Sequence, residues 1–172
     1  MTAITTTKPS ISIDELTAML TERLSTERLV QDPLRRLAYG TDASFYRLGP
    51  SLVVRPETEQ ELVEVIGACR EGNWPMTFRA AGTSLSGQAI TDGVLIQLGR
   101  GWRDARVLDD GARIDLQPGV IGARANELLA PFGRKIGPDP ASINACKIGG
   151  IVANNASGMC CGTAQNSYQT LA

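Results

Sequence analysis

The residues best suited to bind a ligand form a loop at positions 80–87, with the sequence AAGTSLSG. Consecutive backbone amides with little side-chain bulk can curl around an anion, and glycine permits the left-handed conformations that this requires. Hydroxyl groups of Thr83, Ser84 and Ser86 add donors, so dipoles could neutralise a diphosphate without a nearby lysine. The segment favours phosphate binding, and an ordinary glycine-rich turn is the alternative for this segment taken alone.

Two familiar nucleotide-binding loops do not fit this segment. The glycines have the G-x-x-x-x-G spacing of a P-loop, but Gln88 and Ala89 stand where that loop requires Lys and then Ser or Thr. A dinucleotide-binding Rossmann unit would begin a helix directly from its glycines, whereas the strand-like segment GVLIQL follows here at 93–98. We therefore expect the phosphate group to be bound in a different kind of fold.

A second segment, GPDPASINACKIGGIVANNASG at 137–158, is also poor in side-chain bulk. Its prolines hold the backbone in place and its small residues admit a ring system, so Asn154 or Asn155 could hydrogen-bond the polar edge of a flat ligand. Tight packing of a helix on a sheet by the glycines is the alternative. Turn, cap or solvated roles explain three charged residues better than ligand binding does: Asp42, Asp139 and Lys147.

A strand–helix–strand unit must position the first loop. The segments SLVVRP at 51–56 and WPMTFRA at 74–80 have the composition of strands. Between them, a T-x-x-E capping box at 58–61 predicts the start of a helix that ends near Gly72. Its apolar stripe must pack on a sheet: Leu62, Val65, Ile66 and Cys69. The loop therefore leaves the carboxyl end of the second of two parallel strands in a right-handed crossover.

The flanking segments predict a mixed fold. A capping box at Ser12 and Glu15 begins a leading helix, and Asp110-Gly111 predicts a tight primed turn between two antiparallel strands. IGARANELLAPFG reads as a helix, a short helix is expected at about 148–154, and a glycine-punctuated loop is expected from there to the terminus. Parallel strands followed by an antiparallel pair indicate an α+β domain of two small lobes.

Composition excludes several classes of function. The net charge of −1 gives no basic surface for nucleic acid, and no apolar run is long enough to cross a bilayer. With no histidines and four cysteines lacking a C-x-x-C pair, a metal site or a disulfide framework is not expected. Adjacent Cys160 and Cys161 are either small buried thiols beside a glycine or a redox pair. The N-terminus lacks the features of a secretory signal, so we expect no export.

The order of five segments resembles the FAD-binding (PCMH-type) domain of the vanillyl-alcohol oxidase superfamily: RPETEQELVEVI, RAAGTSLSGQA, QPGV, GPDPAS and IGGIVANNASG. The tail NNASGMCCGTAQNSYQTL is most similar to the branch of D-lactate and D-2-hydroxyglutarate dehydrogenases, some of which are fused to an iron–sulfur module. The resemblance implies a helical lead-in at 1–47 and an FAD-binding domain at 48–172, with lobes at about 48–100 and 101–172. It also implies a C-terminally incomplete domain, hence an N-terminal fragment.

In that family the first loop binds the FAD diphosphate, and the second segment lies along the flavin. The resemblance places the cofactor on these residues: Ala80, Ala81, Gly82, Thr83, Ser84, Leu85, Ser86, Gly87, Gln88, Pro118, Pro138, Ser142, Gly149, Gly150, Ala153, Asn155, Ser157, Gly158 and Gly162. Covalent members attach FAD through a histidine where this chain has Thr83, so the resemblance implies non-covalent FAD. Where many relatives have a tyrosine before the glycine that corresponds to Gly162, this chain has Cys161.

The resemblance implies oxidation of a D-2-hydroxy acid, D-lactate or D-2-hydroxyglutarate, to the 2-oxo acid. We expect no catalytic and no metal-binding residue within this chain, so an FAD-binding module without turnover of its own is the alternative. The electron acceptor would be a quinone, a cytochrome or a carrier protein, and an iron–sulfur cluster would belong only to a region beyond this chain. The expected location is the cytoplasm, at most peripheral to the inner face of a membrane. We also expect self-association through surface that the incomplete domain leaves uncovered.

Overall fold

The computed structural model of the protein describes residues 8–172, and the first seven residues of the predicted lead-in lie outside the described range. The chain divides into two compact units. The first comprises the described residues up to Arg79 together with Ser84–Gln97, and the second comprises Ala80–Thr83 together with Leu98–Ala172. The loop predicted to bind phosphate is therefore shared between the units at the Thr83–Ser84 bond.

The first unit contains a four-stranded sheet and three helices. Its elements in chain order are α1 (Ile13–Arg23), β1 (Leu29–Val30), α2 (Pro33–Ala38), β2 (Leu52–Val54), α3 (Glu59–Glu71), β3 (Met76–Phe78) and β4 (Val94–Ile96). The sheet order is β1-β2-β4-β3, with β2 and β3 both parallel to the central β4. The predicted parallel strands are confirmed, and β4 lies between the two strands that α3 connects.

The two predicted capping boxes differ in how completely they form. At α1, the Ser12 hydroxyl accepts from the amide of Glu15, and the Glu15 carboxylate accepts from the amide of Ser12. At α3, Thr58 caps the amide of Glu61, but the Glu61 carboxylate accepts from the amide of Glu57 instead of Thr58. Glu61 is turned toward Arg28, whose guanidinium lies 3.3 Å from the carboxylate. This ion pair explains why the second box is only half formed.

Two features of the first unit correct the sequence analysis. The lead-in was expected to supply one helix, but it also supplies α2 and β1, which pairs antiparallel with β2. A two-residue strand is too short to show a hydrophobic period, which is why the pattern did not reveal it. In α3, Val65 and Cys69 are fully buried, whereas Ile66 of the predicted stripe is exposed.

The second unit contains an antiparallel hairpin and three short helices. Its elements are β5 (Ala105–Leu108), β6 (Arg113–Leu116), α4 (Gly122–Leu129), α5 (Ile148–Ala153) and α6 (Ser167–Thr170). The hairpin is confirmed, but Leu108 pairs with Arg113, so four residues form its turn instead of two. Asp109 and Asp110 both have φ of 50° there. A Cβ on Gly111 would lie 2.6 Å from the Cβ of Phe132, so a larger residue would collide.

The C-terminal tail is more regular than predicted. The glycine pattern predicts a loop from Asn154 to the terminus, but α6 forms there, with the side chain of Asn166 accepting from the amide of Gln169. The hydroxyl of Ser167 is buried and donates to the carbonyls of Ile151 and Ala156, which fixes α6 on α5. Among residues 8–172, no helix is long and apolar enough to span a bilayer.

Candidate cofactor-binding site

The first glycine-rich loop presents backbone amides that the protein leaves unused. Within residues 8–172, the amides of these loop residues have no hydrogen-bond partner: Ala80, Ala81, Gly82, Thr83, Ser84, Leu85 and Gly87. The amides of Ser86 and Gln88, by contrast, both donate to the Ser84 hydroxyl at 3.2 Å. A run of unpartnered N–H groups is the feature that an anion requires, because an unsatisfied donor is costly unless water or a ligand accepts from it.

The shape of the loop depends on two glycines in left-handed conformation. Gly82 has φ of 73° and Gly87 has φ of 72°, a region that other residues enter only at a cost. At Gly87 a Cβ would lie 3.1 Å from the Tyr46 ring, so glycine is also needed for close packing within the first unit. Tyr46 in turn packs beside Phe45, with ring centroids 4.7 Å apart. Glycine is therefore required here for conformation and for contact.

Arg79 fastens the segment just before the loop to the segment just after it. Its guanidinium donates to the carbonyls of Thr41 at 2.9 Å, Ala89 at 3.0 Å and Tyr39 at 3.3 Å. The guanidinium carbon also lies 5.8 Å from the centroid of the Tyr39 ring, within the range of a cation–π contact. Burial lowers the pKa of Arg79, and the nearby charge of Asp42 opposes that shift. The arginine is a structural clamp that carries its charge close to the loop.

Asp42 makes a second attachment to Ala89, the residue whose carbonyl Arg79 binds. Its carboxylate accepts from the hydroxyl of Ser44 and from the amides of Ser44 and Ala89. Burial tends to raise the pKa of Asp42, but the hydrogen bonds from Ser44 and Ala89 together with the charge of Arg79 outweigh it, and the pKa is lowered. The predicted turn role of Asp42 is confirmed. Asp42 also holds the backbone amide of Ala89.

The second unit brings part of the loop against the predicted flavin segment. A Cβ on Gly150 would lie 3.2 Å from the Cβ of Ala80, and one on Gly149 would lie 2.9 Å from the Cβ of Pro118. The amide of Gly149 also donates to the carbonyl of Pro118 at 2.9 Å. The small residues at the start of α5 therefore allow two other predicted cofactor residues, Ala80 and Pro118, to approach its backbone.

The turn that follows the second segment has backbone amides that donate to a side chain of that segment. The carboxylate of Asp139 accepts from the amides of Cys160 at 3.2 Å and Cys161 at 3.3 Å. Gly158 packs so closely on Asp139 that a Cβ would lie 1.9 Å from its carboxylate oxygen. The pKa of Asp139 is lowered, chiefly by a hydrogen bond from the Cys160 thiol. The predicted turn role of Asp139 is confirmed.

The remaining predicted positions are distributed over both units. The side chain of Asn155, at φ of 45°, accepts from the amide of Tyr168, and that of Asn154 donates to the carbonyl of Gly150. Residues 84–88 belong to the first unit. The other predicted cofactor residues belong to separate segments of the second unit: Pro138, Ser142, Ala153, Ser157 and Gly162. Lys147 occupies the N-cap position of α5, and its side chain makes no capping hydrogen bond there.

The sequence did not reveal that three residues support the loop: Arg79, Tyr46 and Asp42. Arg79 and Asp42 bind Ala89, and Tyr46 packs on Gly87. The signal for Arg79 was available, because a single arginine adjoining a loop of small residues has few partners other than backbone carbonyls. Tyr46 gave no such signal, since its partner Gly87 is far away in the sequence. Long-range contacts of this kind require the fold.

The fold and the open loop define a cofactor-binding α+β domain, in which a parallel sheet leads into a segment of free amides. Comparison with known families makes this specific. The model of the FAD binding domain matches residues 50–172, and the chain belongs to that family.

Curated relatives share the matched region. The chain is 38% identical over 120 residues to the glycolate oxidase subunit GlcD of Escherichia coli K12. The aligned region covers 69% of this chain and 24% of that protein. It is 28% identical over 127 residues to the D-2-hydroxyglutarate dehydrogenase of the same strain, covering 72% of the chain and 12% of that protein. The chain thus spans about a quarter or less of these relatives.

Solved structures confirm the predicted PCMH-type fold. Alkyldihydroxyacetonephosphate synthase matches with a TM-score of 0.75 at 20% identity, over 94% of this chain and 32% of that one. The 6-hydroxy-D-nicotine oxidase of Arthrobacter nicotinovorans matches with a TM-score of 0.68 at 17% identity, over 82% of this chain and 31% of that one. At these identities the likeness supports the architecture alone.

Proposed function

We propose that this chain binds FAD non-covalently, with the diphosphate on residues 80–87 and the isoalloxazine along residues 148–158. Membership of the FAD binding domain family supports the cofactor. The observation that carries the residue assignment is the run of unpartnered amides in the first loop, since an ordinary turn would use them internally. No lysine or histidine lies in the loop, so the dipoles of its backbone N–H groups would bind the two negatively charged phosphates.

The flavin assignment follows from the close approach of small residues. Glycines at 149 and 150 leave the first turn of α5 without side chains, and Ala80 and Pro118 of the protein occupy that space. The ring would therefore lie beside these contacts, and membership of the FAD binding domain family supports its assignment to this segment. Thr83 occupies the position of the attachment histidine in covalent relatives, and a threonine cannot form that bond. The FAD is therefore dissociable.

For the oxidoreductase to which this domain contributes, we propose oxidation of a D-2-hydroxy acid, D-lactate or D-2-hydroxyglutarate, to the 2-oxo acid. Relatives named glycolate oxidase, D-2-hydroxyglutarate dehydrogenase and D-lactate dehydrogenase support a 2-hydroxy acid as the substrate class. Bound FAD would accept the hydride from the α-carbon. The residues of this chain would bind and orient the cofactor. We assign the substrate-binding groups and the catalytic base to residues outside this chain. We assign the contact with the electron acceptor, a quinone, a cytochrome or a carrier protein, to the same part of the enzyme. The proposed location of the enzyme is the cytoplasm.

Titration of the purified chain with FAD tests the cofactor assignment. We expect quenching of flavin fluorescence and a rise in melting temperature, because a ligand at a hundred times its dissociation constant stabilises a protein by about 2.7 kcal/mol. Acid precipitation should release all of the flavin into the supernatant. A melting temperature that does not respond to FAD would contradict the proposal, and flavin retained in the precipitate would contradict the non-covalent part.

A second experiment separates an enzyme from an inert module. The FAD-loaded chain is mixed with D-lactate or D-2-hydroxyglutarate and a dye that accepts electrons. Because the catalytic base and the substrate-binding groups are assigned outside the chain, we expect FAD binding without dye reduction. Reduction of the dye by the D-acid, but not by the L-acid, would show that these residues suffice for turnover.

A further inference from the structure

Cys160 and Cys161 are adjacent and accessible, in contrast to the other two cysteines. Cys160 is exposed and Cys161 is half-buried, which corrects the interpretation of this pair as small buried thiols. Cys69 and Cys146 are buried, and burial raises the pKa of Cys69 to about 11. The chain therefore has two thiols that reagents can reach, and they are neighbours in sequence.

Asp139 holds the backbone of both cysteines to one point. Each oxygen of its carboxylate accepts from one of the two amides, Oδ2 from Cys160 and Oδ1 from Cys161. The Cys161 thiol points back to the carbonyls of Gly162 at 3.3 Å and Gly158 at 3.8 Å. The pKa of Cys160 is raised, first by the hydrogen bond of its thiol to the Asp139 carboxylate.

A direct disulfide between these residues is disfavoured. The described residues contain no cis peptide, so one trans peptide joins Cys160 and Cys161, and their α-carbons lie about 3.8 Å apart. Most disulfides have α-carbons at least roughly 4.4 Å apart, and a shorter separation stores strain. A centre that inserts between the two sulfurs avoids this geometric constraint.

We propose that Cys160 and Cys161 form a bidentate thiol site for trivalent arsenicals. With phenylarsine oxide, the arsenic–oxygen bond breaks and two arsenic–sulfur bonds form. Both thiol protons leave with the oxygen as one water molecule, and arsenic stays trivalent, so no oxidant or reductant is needed. The second bond closes within the same turn, where the local concentration of the other thiol favours it over a thiol in solution. The site does not depend on FAD.

The test uses the full chain without FAD, phenylarsine oxide and an excess of glutathione, which displaces arsenicals held by a single thiol. Native mass spectrometry should show one phenylarsenic group retained per chain, released by 2,3-dimercaptopropanol. Cys160→Ser and Cys161→Ser should each reduce retention by roughly a hundredfold, because chelation is lost. The matched controls Cys69→Ser and Cys146→Ser should retain the adduct.

Two results would overturn the assignment. Retention by Cys160→Ser would show that the pair is not the site, and this exposed substitution is not expected to unfold the chain, as its melting temperature will show. Absence of a retained adduct on the wild-type chain would show that the turn holds the two thiols too far apart. The arsenical test is independent of the proposed FAD site, because a preparation that fails to bind FAD should still retain the phenylarsenic group.

Discussion

The two glycine-rich segments of the chain have similar composition but use their backbones differently. In the first, around Gly82, most amides have no partner within residues 8–172. In the second, which ends at Gly158, amides donate to nearby carbonyls, and the amides of Cys160 and Cys161 in the turn that follows donate to its Asp139 carboxylate. Open amides suit an anion, whereas a filled backbone with little bulk suits the face of a flat ring.

The difference arises from where the holding groups lie. The first loop is held from outside, because Arg79, which precedes it, and Asp42 both bind the backbone of Ala89, which follows it, and leave its middle free. The second segment is held from inside, by Asp139 within its own turn. Glycine content therefore shows where a ligand can approach, while the position of the anchoring side chains shows which part of the ligand is bound.

The largest expected effect is in the internally held turn. Gly158→Ala places a Cβ 1.9 Å from the Asp139 carboxylate and 2.2 Å from its carbonyl oxygen, so the turn must rearrange. We expect destabilisation by about 3 kcal/mol, the upper end for overpacking. Thermal unfolding measures it. The control Gly162→Ala has free space around its Cβ and only a positive φ of 52°, so about 1 kcal/mol is expected there. Equal effects would contradict this packing.

The next largest effect is expected at the external clamp. Arg79→Ala removes the contacts of Nη1 with the carbonyls of Tyr39, Thr41 and Ala89, and the two N–H bonds of this nitrogen can make two full hydrogen bonds at most. At a net contribution of about 1 kcal/mol each, the loss of stability is about 2 kcal/mol, below that expected for Gly158→Ala. We expect both a lower melting temperature and an FAD dissociation constant raised by at least about tenfold, since 1.4 kcal/mol corresponds to that factor. Flavin fluorescence titration measures the affinity.

The conservative variant Arg79→Lys sharpens this prediction. A lysine keeps the positive charge, but its nitrogen is one atom nearer the backbone than the Nη1 atom that reaches all three carbonyls. If the clamp acts by geometry, Arg79→Lys will bind FAD almost as weakly as Arg79→Ala. Affinity restored by lysine would mean that charge alone matters, and that the attachment of Ala89 to Arg79 does not shape the loop.

A negative charge in the loop tests the role of the open amides. Ser86→Glu introduces a carboxylate beside the proposed diphosphate, and charges about 4 Å apart near a surface repel by a few kcal/mol at most. We expect FAD affinity to fall about tenfold at low salt and to recover partly at high salt. The matched control Gln169→Glu adds the same charge at an exposed site in α6 and should leave affinity unchanged. Equal losses would remove the assignment of the diphosphate to this loop.

The smallest effect concerns acid stability. The pKa of Asp42 is lowered from its ordinary value of 3.8, so its stabilising contribution is complete above about pH 4 and is lost as pH falls through the lower folded-state pKa. Asp42→Asn removes that contribution. The difference in melting temperature between wild type and Asp42→Asn should therefore be constant from pH 7 to about pH 5 and shrink toward pH 3. A difference that grows with acid would have the wrong sign.

Local patterns predicted the elements and the loop, because capping boxes, apolar stripes and glycine runs act over a few residues. The Ser12 capping box, the β5–β6 hairpin and α5 are confirmed. Errors occurred where a distant partner decides the outcome: Glu61 turns toward Arg28, and β1 exists because β2 pairs with it. The clamp by Arg79 depends on carbonyls about forty residues earlier, which no local pattern encodes.

Backbone amide NMR of the loop tests the central claim most directly. In ¹⁵N-labelled chain, addition of FAD or ADP should shift the amide protons of residues 80–85 downfield, because these N–H groups gain phosphate acceptors. Riboflavin, which lacks phosphate, should leave them in place. The amides of Cys160 and Cys161, already bound to Asp139, should show no new hydrogen bond. Loop amides that do not respond to FAD or ADP, or that respond equally to riboflavin, would contradict the account.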